Sequence, residues 1–248
     1  MIKSVFALIS SAVATFVFGI AGLILSFLAP GFVIRGAVRP WGKAVLLCCG
    51  VSLEVRGVEN VPHEPSVIMY NHQSSLDIPA LVASLPVERC DYKLVMKEEV
   101  AKIPFVGWVS QTAGHYFVSR DGGSGDSKQL KAMARGIRRK GHSVVLAPEG
   151  TRSESGRLLD FKKGGFMLAG LSGAPVVPMV IWGGKNVKKK SRQFVSTGGE
   201  MTVEFLPPFR PSDYSPGRKG MEEIGHAVRG AMLEEVEKRL ESEAGAGQ

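Results

Sequence analysis

His72 and Asp77 stand five positions apart in the stretch Tyr70-Asn71-His72-Gln73-Ser74-Ser75-Leu76-Asp77, between an apolar run and a helix-like one. An imidazole beside a carboxylate is the minimal kit for general-base catalysis. The carboxylate sets the ring tautomer and stabilises the imidazolium that forms when the ring takes a proton. A free imidazole, with a pKa of about 6.5, is mostly neutral near pH 7, as a base must be. On one straight helix a spacing of five would not set the two side by side. Across a strand–loop–helix corner they can meet. His72 directly follows a short buried strand, at the carboxyl edge where open α/β sheets place ligands. Taken alone, the same residues also suit a plainer reading: Asp77 or Ser75 capping the helix, and His72 an ordinary loop histidine.

A second candidate stretch, Ala147-Pro148-Glu149-Gly150-Thr151-Arg152-Ser153, again follows an apolar strand. Gly150 lets backbone approach a ligand, Thr151 and Ser153 donate hydrogen bonds, and Arg152 can grip a phosphate with two parallel bonds. Glu149 would repel a phosphate, so its expected task is to hold Arg152 or a substrate hydroxyl. A surface turn with an exposed ion pair is the alternative, worth little energetically.

The elements that must position these residues alternate. Strand-like runs occur at Ser52–Arg56, Ser66–Tyr70, Tyr92–Met96, His115–Ser119, Ser143–Ala147, Val176–Trp182 and Glu200–Leu206. Helical patterns fall at Ile78–Leu85, with Pro79 tolerated in the first turn, and at Ser127–Lys140, Phe161–Leu171 and Met221–Glu243. This alternation predicts an α/β fold with a mixed, largely buried sheet flanked by helices. Residues 51–243 form the expected domain, residues 1–50 an N-terminal anchor, and residues 244–248 a frayed tail.

No residue between Lys3 and Arg35 is charged. As a helix, Ser4 to Ala29 would reach about 39 Å at about 1.5 Å per residue, against a hydrocarbon core of roughly 30 Å. A cleaved leader has a shorter apolar region and a small-residue cleavage site, so an uncleaved membrane anchor is expected. After Pro30-Gly31, the segment from Phe32 to Val51 mixes Arg35, Arg39 and Lys43 with Trp41 and Leu46-Leu47. It suits an interfacial helix or the return arm of a hairpin in one leaflet, and one spanning helix remains the other option. Its basic residues place the domain on the cytoplasmic side of the inner membrane. With 31 Lys and Arg against 23 Asp and Glu, the net charge of +8 favours acidic partners such as lipid headgroups or phosphorylated metabolites. Cys48, Cys49 and Cys90 give no disulfide framework and no metal-ligand spacing, consistent with reduced cytosolic thiols.

Several stretches take bland readings. His63-Glu64 lacks the second histidine of a zinc helix, and Gly122-Gly123-Ser124-Gly125 lacks the spacing of a phosphate loop. The run Lys185 to Arg192 reads as a solvated loop, although it could touch anionic lipid or coenzyme A phosphates. The basic helix Lys128 to Lys140 reads as an amphipathic surface helix.

Taken together, the motifs resemble those of the 1-acylglycerol-3-phosphate acyltransferase family, the PlsC-like enzymes. Asn71-His72 through Asp77 matches its Asn-His-x-x-x-x-Asp block, and Glu149-Gly150-Thr151-Arg152-Ser153 its Glu-Gly-Thr-Arg-Ser block. Lys97-Glu98-Glu99 with Pro104, Gly107, Gly114 and Phe117-Val118-Ser119-Arg120 resembles the block between them. Ala174-Pro175-Val176-Val177-Pro178-Met179 resembles the last, and Phe161-Lys162-Lys163-Gly164 fits the downstream pattern. Val100 departs from the usual leucine after Lys-x-Glu, an apolar swap without chemical consequence. The blocks occur in order over Asn71 to Val180.

The resemblance implies a glycerolipid acyltransferase-like domain that moves an acyl group from a thioester to the free hydroxyl of lysophosphatidate, giving phosphatidate. The donor would be acyl-CoA or acyl carrier protein. His72 would be the base and Asp77 its orienting partner. Arg152, with Lys97 and Arg120 in support, would bind the phosphate, and Glu149, Gly150 and Thr151 would complete the substrate site. No cofactor, metal or nucleic acid is expected, and no nucleophilic Cys or Ser is needed, since a thioester is already activated. Another lysophospholipid or a lyso-aminolipid as acceptor is the neighbouring possibility. A non-catalytic membrane protein binding anionic lipid through its basic surface is the rival of a different class.

Overall fold

The apolar alternation resolves into one seven-stranded sheet in a computed structural model that describes residues 2–119, 124–184 and 198–246. Its strands are β1 (Val51–Arg56), β2 (Val67–Tyr70), β3 (Asp91–Lys97), β4 (Tyr116–Val118), β5 (His142–Leu146), β6 (Val176–Trp182) and β7 (Gly199–Phe205). They lie in the order β1-β7-β6-β2-β5-β3-β4. Every neighbouring pair is parallel except β6 with β7. The sheet is therefore mixed, as the sequence predicts, and β2 lies in the middle of it.

Side chains alternate across the sheet because successive strand residues point to opposite faces. Ile68 and Tyr70 of β2 join a core with Leu81 of α3 (Asp77–Ser84), Leu85 just past its end, and Val45 and Leu46 of α2 (Arg39–Cys48). Val67 and Met69 join the opposite core. There they meet Met133 and Ile137 of α5 (Ser124–Lys140), Phe166 and Leu168 of α6 (Gly164–Ser172), and Val228 and Met232 of α7 (Gly217–Ala246). All four described residues of β2 are buried, so each apolar one among them contributes roughly 1.5–3 kcal/mol. A strand so enclosed is a rigid base for whatever follows it.

The N-terminal segment is built onto the first face. Helix α1 (Ile2–Leu28) is long and apolar enough to cross a membrane by length and composition. Its small residues nevertheless lie against the domain along most of its length. The Trp41 indole donates to Thr15 Oγ1 at 3.0 Å, and Thr112 Oγ1 donates to Ser26 Oγ at 2.9 Å. A Cβ on Gly19 would sit 2.6 Å from Phe105 Cβ, and one on Gly22 2.9 Å from Val109 Cγ1. Phe105 and Val109 belong to the start of α4 (Val106–Thr112), a helix the sequence pattern does not reveal. The outward face of α1 exposes Phe6, Ile9, Val13, Val17, Ile24 and Phe27, continued by Leu47 on α2 and Trp108 on α4.

Two boundaries differ from expectation. The segment after Pro30-Gly31 is two helical pieces, a π-helical stretch Ile34–Val38 running into α2, and α2 packs tightly on α3. A Cβ at Gly42 would lie 2.6 Å from the Pro79 carbonyl oxygen, so the two backbones are in contact there. Helix α7 continues through Ala246, past the expected start of a frayed tail at 244, so the structure does not stop the helix there.

Buried histidines under the sheet give the fold a pH response. Burial pushes His115 down to about 3, with the Lys93 ammonium adding to it, and His142 down to about 4 for the same reasons in the same order. His142 Nε2 lies 3.0 Å from the Tyr116 hydroxyl, and His115 Nδ1 accepts the Leu94 N–H. The unfolded chain protonates both near 6.5. Between about 6.5 and 4 it therefore binds protons the fold does not. Their contribution is whole above pH 6.5 and is lost as pH falls, so the Tm should drop steadily on acidification through that window. A Tm flat from pH 7 to 4.5 would contradict it.

Candidate active site

The site begins where β2 ends. Asn71 seals that end to β6: its Nδ2 donates to the Ile181 carbonyl at 3.0 Å, and its Oδ1 accepts the Ile181 N–H at 2.7 Å. The chain then turns through His72–Leu76 into α3, with Asp77 as the first residue of that helix. The Asp77 side chain reaches back over the turn. Its Oδ2 lies 2.9 Å from His72 Nδ1 and accepts the N–H groups of Gln73 and Ser74, each at 2.6 Å. A carboxylate at the start of a helix is favoured by the helix dipole. It does not cap the helix by a side-chain bond; Leu76 holds the N-cap position.

Asp77 is 1% exposed and the His72 ring 19%. An acceptor-only carboxylate at Nδ1 assigns the proton to that nitrogen and leaves Nε2 with its lone pair. Nε2 has no hydrogen-bond partner among the described residues, and the side chain is partly exposed. The pair is thus an imidazole held in one orientation by a buried carboxylate.

Glu149 has a task the sequence does not disclose. Its Oε1 accepts the His72 backbone N–H at 3.0 Å, and its Oε2 accepts the Leu159 N–H at 2.9 Å. Ser153 N–H donates to the His72 carbonyl at 2.7 Å. His72 is therefore gripped on both sides of its own backbone by the loop after β5. Burial pushes the Glu149 carboxyl up from the ordinary range, opposed by the two backbone donors. In place of the expected hold on Arg152 or a substrate hydroxyl, one Glu149 oxygen holds the His72 turn and the other its own loop at Leu159. The loop is braced further by Ser153 Oγ donating to the Arg157 carbonyl and Gln73 Nε2 donating to the Gly156 carbonyl.

Thr151 and Arg152 are exposed beside His72, since Ser153 is bonded to it directly, and Arg152 is in no ion pair among the described residues. Lys97, at the end of β3, lines a cleft of about 310 Å³ with Gly150, Ser119 and Lys162. Gly150 has a φ of +68°, and Lys162 Cε lies 2.9 Å from where its Cβ would be. Only a glycine lets that lysine cross the loop and meet Lys97 at one mouth. Lys162 was visible in the sequence only as part of the Phe161–Gly164 pattern. Arg120 and the run Lys185 to Arg192 lie outside the described residues. Among the described residues no group of three or more His, Cys, Asp or Glu side chains could hold a metal ion.

An oriented histidine–aspartate pair thus stands at the carboxyl end of the central strand, with Lys97 and Arg152 on the neighbouring segments. Residues 52–182 match the acyltransferase family, and the chain belongs to it. A 1-acyl-sn-glycerol-3-phosphate acyltransferase of Limnanthes alba is 32% identical over 174 residues, 70% of this chain and 60% of that one. The alpha enzyme of the same name from Mus musculus is 32% identical over 186 residues, 74% of this chain and 63% of that one. The chain thus spans less than two-thirds of the length of either relative. The crystal structure of the 1-acyl-sn-glycerophosphate (LPA) acyltransferase PlsC from Thermotoga maritima superposes with a TM-score of 0.78 at 25% identity. The match covers 96% of this chain and 94% of that one.

One further residue controls the pair from behind. A Cβ at Gly184 would lie 2.7 Å from Asp77 Oδ1 and 2.9 Å from Ser74 Cβ. Oδ1 is buried and has no hydrogen-bond partner among the described residues. Gly184→Ala should push Asp77 off the turn and slow acyl transfer by roughly 10–100-fold with the fold retained, since a shift near 1 Å at a catalytic group costs about that much. Unchanged turnover in a folded Gly184→Ala protein would show that the carboxylate has room to move.

Proposed function

We propose that the chain is a 1-acyl-sn-glycerol-3-phosphate acyltransferase that converts lysophosphatidate to phosphatidate. The observation that carries this reading is the free Nε2 of His72, held by the Asp77 bond at 2.9 Å beside a cleft rimmed by Lys97 and Lys162. His72 Nε2 takes the proton of the acceptor hydroxyl as its oxygen attacks the thioester carbonyl carbon. The tetrahedral adduct collapses by breaking the C–S bond, and the thiolate leaves with the proton that His72 returns. Asp77 stabilises the imidazolium between the two steps. General-base assistance of this kind contributes roughly 10²–10⁴-fold. No protein nucleophile and no cofactor is needed, since the thioester is already activated.

In this reading Arg152 and Lys97 neutralise the acceptor phosphate, with Arg120 as the third cation, while Gly150 and Thr151 bring backbone and hydroxyl donors to the same headgroup. The acyl chains belong on the first face of the sheet. An apolar cavity of about 80 Å³ lies there under α1, between Ile78, Val82, Leu94, Met96, Trp41 and Phe18. The outward apolar face of α1, with Leu47 and Trp108, is the surface that enters lipid. Because the inward face of α1 is packed on α2 and α4, the helix lies along the domain within one leaflet rather than standing across the bilayer. The membrane is the cytoplasmic one and the domain faces the cytoplasm. The donor is a thioester of coenzyme A or of acyl carrier protein.

The decisive assay offers labelled palmitoyl-CoA with lysophosphatidate or glycerol-3-phosphate to the detergent-solubilised protein, beside His72→Ala. Phosphatidate from lysophosphatidate by the wild type alone is expected, with His72→Ala folded and slower by at least about 10²-fold. Product from neither acceptor would move the search to other lyso-lipids; charge-driven lipid binding without any transfer would favour a binding protein. Lys97→Ala and Arg152→Ala should each raise the KM for lysophosphatidate by roughly tenfold or more, the loss of one charge-assisted phosphate contact. If neither moves it, the phosphate is bound elsewhere.

A further inference from the structure

Helix α5 carries the strongest unspent charge on the described surface. From Ser127 to Lys140 it contains Lys128, Lys131, Arg135, Arg138, Arg139 and Lys140 and no acidic residue. All six are exposed, and none is in an ion pair among the described residues. Lys128, Lys131, Arg135 and Arg138 follow one another at steps of three or four, so they form a single outward stripe. The other side of the helix is apolar: Met133, Ala134 and Ile137 are buried in the core of the second face.

Arg138, Arg139 and Lys140 have an ordinary explanation. They occupy the last turn, where cations complement the helix dipole. Lys128 and Lys131 do not. They lie in the first half of the helix, where the dipole opposes positive charge, and they repel each other and Arg135 at i,i+3 and i,i+4 spacings. Helix stability would favour acidic residues at those positions. The stripe spans about 15 Å from Lys128 to Arg138, roughly two Debye lengths at physiological salt, so a partner must lie along it to feel all of it.

Position selects the partner. The apolar surface of α1, α2 and α4 is on the first face of the sheet, whereas α5 packs on the second, together with α6 and α7. The stripe therefore looks away from the membrane seat, into water. It starts at the active site: Leu130 and Met133 of α5 line the same cleft as Lys97, Gly150 and Lys162. A cationic track that leads from open solvent to the mouth of an acyl-transfer cleft fits a soluble acidic macromolecule that delivers the acyl group there.

We infer that the outward stripe of α5 docks an acidic acyl carrier protein as the acyl donor, with its thioester-bearing arm entering beside Leu130 and Met133. The inference rests on the acyl-transfer reading above and adds the partner and its surface. Complementary charge of this kind acts through encounter rate and orientation, so it is sensitive to salt.

The test replaces Lys128→Glu, Lys131→Glu and Arg135→Glu together; the first two exchanges suit the helix dipole, and all three leave the buried face intact. Two readouts are needed. Anisotropy of labelled palmitoyl-acyl carrier protein measures docking on detergent-solubilised protein whether or not chemistry occurs. Initial rates with palmitoyl-acyl carrier protein and with palmitoyl-CoA, each with lysophosphatidate, measure donor use. The triple variant should weaken carrier-protein binding and raise its KM by about tenfold or more, leave kcat in place, and shift the KM for palmitoyl-CoA by less than about threefold. Wild-type binding should weaken as salt rises, and that dependence should flatten in the variant. Absence of carrier-protein binding by the wild type, equal binding by the variant, or an equal loss with palmitoyl-CoA would each overturn the inference. So would lost binding to phosphatidylglycerol vesicles with carrier-protein binding intact, which would make α5 a lipid contact. Charge-dependent carrier-protein binding without transfer from either donor would instead count against the transfer reading and leave the docking surface standing.

Discussion

Everything at the site hangs on one buried carboxylate oxygen. Asp77 Oδ2 gathers three donors, the His72 ring and two successive backbone N–H groups. Removing a carboxylate from water is costly unless its lone pairs are occupied, and these three donors with the helix start supply the compensation. The same bonds fold the turn. Without the carboxylate, the Gln73 and Ser74 amides would be left unsatisfied and the ring would lose its tautomer. Orientation of the base and the shape of the loop that carries it are a single interaction.

A second layer holds that unit in place. Glu149 and Ser153 bond the amide and carbonyl of His72 from the loop after β5, and Asn71 bonds Ile181 of β6. Strands β5 and β6 flank β2 in the sheet, so the two fasteners arrive from opposite sides. The histidine is therefore fixed relative to three parallel strands whose side chains are nearly all buried. Precision at the imidazole is borrowed from the most enclosed part of the core.

Much of this was legible in advance, and the parts that were not share a cause. All seven strands show in the sequence because short apolar runs, alternating in β1, β3 and β7 and continuous in β2, β5 and β6, are local patterns, and the two motifs show because residue types and order are local as well. Helix α4 is seven residues long and half exposed, too short for helical periodicity to register. The work of Glu149 depends on an amide 77 positions earlier, a distance only the closed sheet reveals. Its charge suggested a partner with the opposite sign, whereas buried backbone donors were the stronger claim. Gly184 carries no signal at all, since its importance lies in the space it leaves beside Asp77. The apolar N-terminus was readable as membrane-seeking, but its posture was not. The Thr15, Gly19, Gly22 and Ser26 positions look like ordinary small residues until Trp41, Phe105, Val109 and Thr112 are set against them.

That stripe of small residues also sets a dimension. Held at Thr15 and again at Ser26, α1 lies against the domain, and on the proposed reading this sets the distance from its lipid-facing side chains to the His72 ring. On the proposed reading the enzyme does not extend to find its acceptor, and the acceptor cannot be delivered from bulk solution. Encounters then take place in two dimensions, and the quantity that governs the rate is the mole fraction of lysolipid in the surface the protein occupies, whatever the total amount in the suspension.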